Sequence, residues 1–298
     1  MSAGSPMVGA EEPSKLSEEE ASQLAEELKA QLRSGRVPDA ASESIEKMVA
    51  GLGDPRGLMR LTFAESLGKV GMAAVPSLCR ALEQHDSVTV RRAAAKTLTL
   101  IEAPQALPVL LKALLNDPDP VVQGSAVGAM AAVGAEAMDD LLQVLVNPHS
   151  TAMQLGLASW AMAFVGARAP DALRRAATSE HPEIRCAAVA ALGDQIQSLG
   201  DDTARDLVEQ SLSDPDTAVR AEAVTLLGKL HNPEWATPKL TPLLEDDEGQ
   251  VRKNAALSLM KLQAVEAIPA LRRSCEQEAQ DDVKAVLALA INQLDHDD

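Results

Sequence analysis

The sequence predicts an all-α protein, a right-handed α-solenoid of about eight helix pairs with one acidic helix capping its N-terminal end. Two observations carry this. The stretch His85–Leu98 (HDSVTVRRAAAKTL) holds an acidic turn, a Val-Arg pair and then small residues at helical spacing, and it recurs along the chain. The Val90-Arg91 pair reappears as Met59-Arg60, Val122-Gln123, Met153-Gln154, Ile184-Arg185, Val219-Arg220, Val251-Arg252 and Val283-Lys284, at spacings of 31, 32, 31, 31, 35, 32 and 32 residues. A period in that range, held over so many copies, is the mark of stacked repeats, each burying a face its neighbour supplies. Composition agrees. The chain is 46% apolar yet holds two Trp, two Phe and no Tyr, so its core must be Ala, Leu, Val and Met between closely approaching helices.

Taken in order, residues 1–15 are rich in Gly, Pro and Ser and are expected to be disordered. Residues 16–34 form an acidic helix, opened by the capping-box pattern Ser17-Glu18-Glu19-Glu20 and ended at Ser34-Gly35. It stands outside the repeat register and is suited to shield the first repeat. Residues 35–298 are the solenoid. In each pair the first helix carries an aliphatic stripe, as in Val75-Leu78-Leu82, and the second carries the Val-Arg pair. Asp54-Pro55, Asp117-Pro118, Asn147-Pro148, His181-Pro182 and Asp214-Pro215 mark helix starts, because proline fits a first turn. Gly68, Gly71, Gly134, Gly166 and Gly228 fit left-handed caps or tight turns. The single 35-residue spacing is an insertion near Gly193 to Asp202, expected in a loop.

With the Val of each second helix as position 0, positions 4, 5 and 8 share its face and form the core, as in Ala94, Ala95 and Leu98. The Arg at position 1 lies beside that face. Its stem can pack while its guanidinium reaches an acidic group of the adjacent turn, which makes the arginines a structural ladder. Gln123 and Gln154 replace Arg in repeats three and four and put the ladder in question there.

Positions 2, 3, 6 and 7 then point away from the core. The candidate binding residues in that set are Glu65, Arg92 and Lys96, followed by Gly124, Ser125 and Gly128, then Leu155, Gly156 and Trp160, and finally Cys186. Ala129 and Ala191 belong to it too. Residues 141–167 contain no Asp, Glu, Lys or Arg. An apolar, small-residue surface around one Trp marks a partner or ligand site, or else Met153, Trp160 and Phe164 fill a thicker core.

The net charge of −17 argues against nucleic acid, whose phosphates call for clustered Lys and Arg, and against anionic membrane surfaces. No apolar run is long enough to span a bilayer, and residues 1–15 lack the pattern of a signal peptide. With three widely spaced cysteines there is no disulfide framework, so a reducing cytoplasm is expected. Cys79, Cys186 and Cys275 fall in different repeats, so no metal centre or intrinsic cofactor is expected within one chain. Cys186 is the thiol placed to join a site shared with a second chain. No nucleotide loop, nucleophile elbow or zincin motif is present, and the residues compel no enzyme.

Over residues 39–294 the Asp-Pro turns and the Val-Arg-x-x-Ala-x-x-x-Leu-Gly second helix resemble the short HEAT repeat. The blocks RLTFAESLG (60–68), VRRAAAKTLTLI (90–101), VVQGSAVGAM (121–130) and SWAMAFVG (159–166) are similar to the cyanobacterial HEAT proteins related to phycobilin lyases. That resemblance implies second helices lining a concave groove. It also implies a protein partner such as a phycobiliprotein or another phycobilisome component, with homo- or hetero-dimers within the family's range. Two functions follow. One is a non-catalytic scaffold, chaperone or assembly factor gripping its partner around Trp160. The other is a lyase or lyase subunit with an open-chain bilin as substrate, where Arg92 or Lys96 pairs the propionates and Glu65 assists protonation. HEAT-repeat metallo-hydroxylases use His-Glu pairs, and this chain has no such dipeptide.

Overall fold

In the computed structural model, residues 16–295 are described, and all their regular structure is helical. The expected disorder of 1–15 lies outside these residues. Helix α1 (Glu18–Arg33) opens on a complete capping box, with Ser17 and Glu20 each satisfying the other's backbone N–H, and its buried face is Ala21, Ala25 and Leu28. Eight pairs follow. They are α2 (Ser42–Gly51) with α3 (Gly57–Val70), α4 (Val75–Gln84) with α5 (Val88–Ile101), α6 (Leu107–Asn116) with α7 (Pro120–Val133), and α8 (Met138–Val146) with α9 (Ala152–Arg168). The last four are α10 (Pro170–Ala177) with α11 (Pro182–Leu199), α12 (Asp202–Ser211) with α13 (Thr217–Lys229), α14 (Pro233–Leu240) with α15 (Gly249–Lys261), and α16 (Ile268–Gln277) with α17 (Asp281–Asp295).

These helices form two compact units. The first runs to Asp140 and includes Ser150–Leu157, and the second comprises Leu141–His149 and everything from Ala158 onward. Each unit has its own aliphatic core. Phe63, Leu67, Leu78, Leu98, Leu114 and Met130 are fully buried in the first, and Met162, Leu192, Leu227, Leu259 and Leu287 in the second.

Burial fixes the repeat register. Position 4 is buried in every repeat (Phe63, Ala94, Ala126, Ala158, Ala188, Ala223, Ala255, Leu287). So is position 7 (Ser66, Thr97, Ala129, Ala161, Ala191, Leu226, Ser258, Ala290). Position 7 was expected on the open face. It is core instead, because it follows position 4 by three residues and closes on the same stripe. Ala129 and Ala191 therefore leave the candidate surface.

The same criterion moves repeat four by one residue. Met153 is 43% exposed and Gln154 4%, so Gln154 occupies position 0 and Leu155 takes the Arg position. Leu155 therefore lies at the edge of the open face rather than on it. The alignment by apolar type failed because the buried residue here is an amide. Gln154 exchanges hydrogen bonds with the N-cap residue Thr151, and its Nε2 donates to the carbonyls of Leu114 and Leu115 at the end of α6, both at 3.0 Å. Those carbonyls end a helix and have no intrahelical partner, so a buried Gln is satisfied where a Val would leave them bare.

Three further expectations change. The insertion after Ile184 is not a loop but an extra turn of α11, which runs on until Gly200 at φ 61°. Within that turn Ile196 is buried and Gln195 donates to the carbonyl of Gly166. Of the Pro-containing turns, only Pro182 begins its helix, and the others lie in the turn ahead of it. Most first-turn prolines belong to first helices, as at Pro76, Pro108, Pro170, Pro233 and Pro269, while Pro120 and Pro182 open second helices. Among the glycines, Gly71 and Gly134 have positive φ and end their helices. Gly166 and Gly228 are helical, and a Cβ there would sit 2.7 Å from Leu173 and 2.5 Å from Ser258. Close approach, not turn geometry, requires them.

Candidate functional site

The arginine ladder is built as its residue types demand. Arg91 makes a two-pronged bond to Asp117, through Nε at 2.7 Å and Nη2 at 3.1 Å, while Nη1 donates to the carbonyls of His85 and Asp86. Arg185 repeats this with Asp214, Arg220 with Asp246 and Arg252 with Glu278. In the second unit the rungs interlock. Asp214 takes Arg185 on its carboxylate and Arg220 on its carbonyl, and Asp246 does the same for Arg220 and Arg252. The Arg252 guanidinium leads in holding the Glu278 carboxyl down to about 2. Burial pushes Asp214 and Asp246 upward, but their arginines and turn N–H groups outweigh it and both stay below the usual carboxylate range. Gln123 keeps only the carbonyl half of a rung, donating to Asp117 at 2.7 Å.

The open face consists of positions 2, 3 and 6. In the first unit Glu65, Arg92 and Lys96 are exposed, and Gly124, Ser125 and Gly128 are half-buried, with the Ser125 hydroxyl donating back to Val121. Gly156 is exposed. Arg92 and Lys96 stand one turn apart on α5 with no carboxylate near enough for an ion pair among the described residues.

In the second unit, Trp160 is 52% and Phe164 48% exposed, and their rings stack with centroids 6.0 Å apart at 27°. Of the four aromatic residues in the chain, Phe63 is core and Trp235 is held by Glu209 and by Arg205 over its ring. The other two form this exposed pair, inside a stretch without charged side chains. The thicker-core alternative for Met153, Trp160 and Phe164 is thereby set aside. The sequence singled out Trp160 but not its partner Phe164 as surface, although their four-residue spacing was the available signal.

Cys186 is half-buried, and its thiol donates to the Ala218 carbonyl at 3.7 Å. Burial first, then Glu222 and the neighbouring aspartates, push it up to about 11, which keeps it a protonated thiol at neutral pH. No cluster of His, Cys, Asp and Glu with metal-binding geometry occurs among the described residues. None of the described helices is long and apolar enough to cross a membrane.

Comparison with known proteins follows this architecture. The family model of HEAT repeats matches residues 45–131 and 204–292. The chain is 48% identical over 279 residues to the bilin biosynthesis protein MpeU of Synechococcus sp. (strain WH8020), covering 94% of each. It is 32% identical over 129 residues to an uncharacterized phycocyanin operon protein Z of Pseudanabaena tenuis (strain PCC 7409), spanning 40% of this chain and 62% of that protein. Among solved structures, the complex of CpcE and CpcF of phycocyanin lyase from Nostoc sp. PCC7120 is similar over 84% of this chain and 94% of that one, at 20% identity and a TM-score of 0.33. The match to MpeU from end to end, on a scaffold of eight such helix pairs, makes this chain a HEAT-repeat protein of the phycobilin lyase-like family.

Proposed function

We propose that this protein binds an open-chain tetrapyrrole on the open face of its second helices and delivers it to a cysteine of a phycobiliprotein. One observation carries the reading. The stacked Trp160–Phe164 pair is exposed in an uncharged stretch, a surface suited to a flat conjugated ligand. The bilin biosynthesis name of the 48%-identical relative supports the ligand class. In such a delivery the acceptor thiol adds across an exocyclic C=C of the bilin. A C–S bond forms, the π bond breaks, the thiol proton ends on the neighbouring carbon, and no oxidant is required. Arg92 and Lys96 of the first unit, exposed and free of carboxylate partners, suit carboxylates of the acceptor protein, and Glu65 on α3 is an exposed acid.

A second reading is favoured by Cys186. The half-buried Cys186 thiol, held protonated and donating to the Ala218 carbonyl, is poorly suited to carry the bilin covalently, and a chaperone that presents its cargo without bond-making fits equally. Co-expression with a bilin-synthesis pathway and a phycobiliprotein separates the two. A covalent, zinc-fluorescent adduct formed only when this chain is present makes it a lyase. Unchanged attachment alongside a stable complex makes it a chaperone. Neither adduct nor complex removes both.

A further inference from the structure

Deepening the bilin reading and resting on it, we infer that the ligand's carboxylate arm is held in the second unit, in a cavity between α9, α11 and α13, with Lys229 as its counter-ion. The cavity, about 230 Å³, is lined by Ala163, Ala190, Ala191, Gly193, Leu226 and Lys229. Its floor is low because its residues are small. Gly193 in particular lets α11 approach α13, since a Cβ there would lie 3.0 Å from the Leu226 side chain. The small-residue floor accepts the edge of an apolar ring, and Gln197 at the lining, its Nε2 turned to the Lys229 carbonyl, adds an amide.

Two flanking features define what fits. On α9, Ala163 lines the cavity, and the exposed Trp160–Phe164 stack is carried by the same helix within one turn of it. On α13, the Lys229 side chain is 56% exposed and its ammonium is 4.0 Å from Glu222 Oε1, too far for a strong hydrogen bond. An incoming carboxylate can take that ammonium without breaking a buried pair. A floor of small residues, a loosely engaged cation and an exposed aromatic pair within a turn of Ala163 on α9 match a flat conjugated molecule bearing a carboxylate on a short arm. A pyrrole ring with its propionate has that form.

The test uses the full chain with biliverdin as probe, its binding followed by the visible absorbance change, and biliverdin dimethyl ester as the uncharged control. Lys229→Gln is expected to weaken biliverdin about 5- to 10-fold and leave the ester unchanged, while Lys229→Arg retains affinity within about 2-fold. Glu222→Gln, which removes the competing carboxylate, should tighten biliverdin roughly 2- to 3-fold. Ala190→Phe, filling the cavity from its exposed rim, should abolish binding of both probes with the helical circular dichroism unchanged. Biliverdin binding that ignores Lys229→Gln and Ala190→Phe overturns this site and leaves the bilin reading standing. Failure of the unaltered protein to bind biliverdin overturns the bilin reading and this site with it.

Discussion

Repeats five to eight and repeats three and four solve the same stacking problem differently. From Arg185 to Glu278, each turn carboxylate is claimed by the arginine of the preceding repeat, and at Asp214 and Asp246 the same turn's carbonyl is claimed by its own repeat's arginine. Gln123 donates to the Asp117 carbonyl, and Gln154, in the core position rather than the Arg position, donates to the Leu114 and Leu115 carbonyls and accepts from the Thr151 N–H, so both neutral amides bond backbone groups. Charged rungs bring strength, since guanidinium–carboxylate forks are charge-assisted and shielded here. Amide links bring neutrality, and Gln154 lies within the uncharged stretch that displays Trp160 and Phe164.

The largest effect should come from breaking a charged rung. Asp246→Ala leaves Arg220 without its carboxylate and removes the Glu248 cap, and should cost about 3–5 kcal/mol in urea unfolding. A loss under ~1 kcal/mol would mean that the rungs are solvated. Next is an amide link. Gln154→Leu deletes the bond accepted from the Thr151 N–H and leaves the Leu114 and Leu115 carbonyls without their donor, so about 2–3 kcal/mol of stability should be lost. A neutral outcome would erase the distinction between the two kinds of link.

A smaller effect tests the charge itself. Glu278 sits near 2 when folded against an ordinary 4.5, so its stabilisation is complete above about pH 4.5 and is lost as pH falls toward 2. Thermal unfolding between pH 5 and pH 2.5 should show Glu278→Gln to be less acid-sensitive than the unaltered protein, by roughly 2 kcal/mol. Parallel curves would remove Glu278 from the ladder. The smallest stability change belongs to the exposed pair. Trp160→Ala and Phe164→Ala should shift the melting free energy by less than ~1 kcal/mol while weakening tetrapyrrole or partner binding, because their rings are half in solvent. Equal loss of fold and binding would return them to the core.

Much of this was legible in the sequence because it follows from local periodicity. The repeat length fixed the paired helices, and position 4 and the Arg at position 1 were readable from one copy, since a helix of 3.6 residues per turn allows no other face. Ser17 and Glu20 announced the first helix by their own chemistry. What escaped depended on a neighbour. Nothing in the residues around Gln154 says that it, and not Met153, faces inward, because the carbonyls that satisfy it belong to α6, some forty residues earlier.

Gly166 and Gly228 read as turn residues because the side chains that crowd them, Leu173 and Ser258, are on other helices. Position 7 was misplaced for the same reason, since how wide a stripe is buried depends on how closely the next helix approaches. The sequence by itself determined that helices form, how they pair and which charges bind the turns together, all properties of one repeat and its period. Tertiary structure alone decided the register of repeat four, the continuation of α11 through its insertion and the exposure of Trp160 and Phe164, because burial is set by the neighbouring surface and not by the residue.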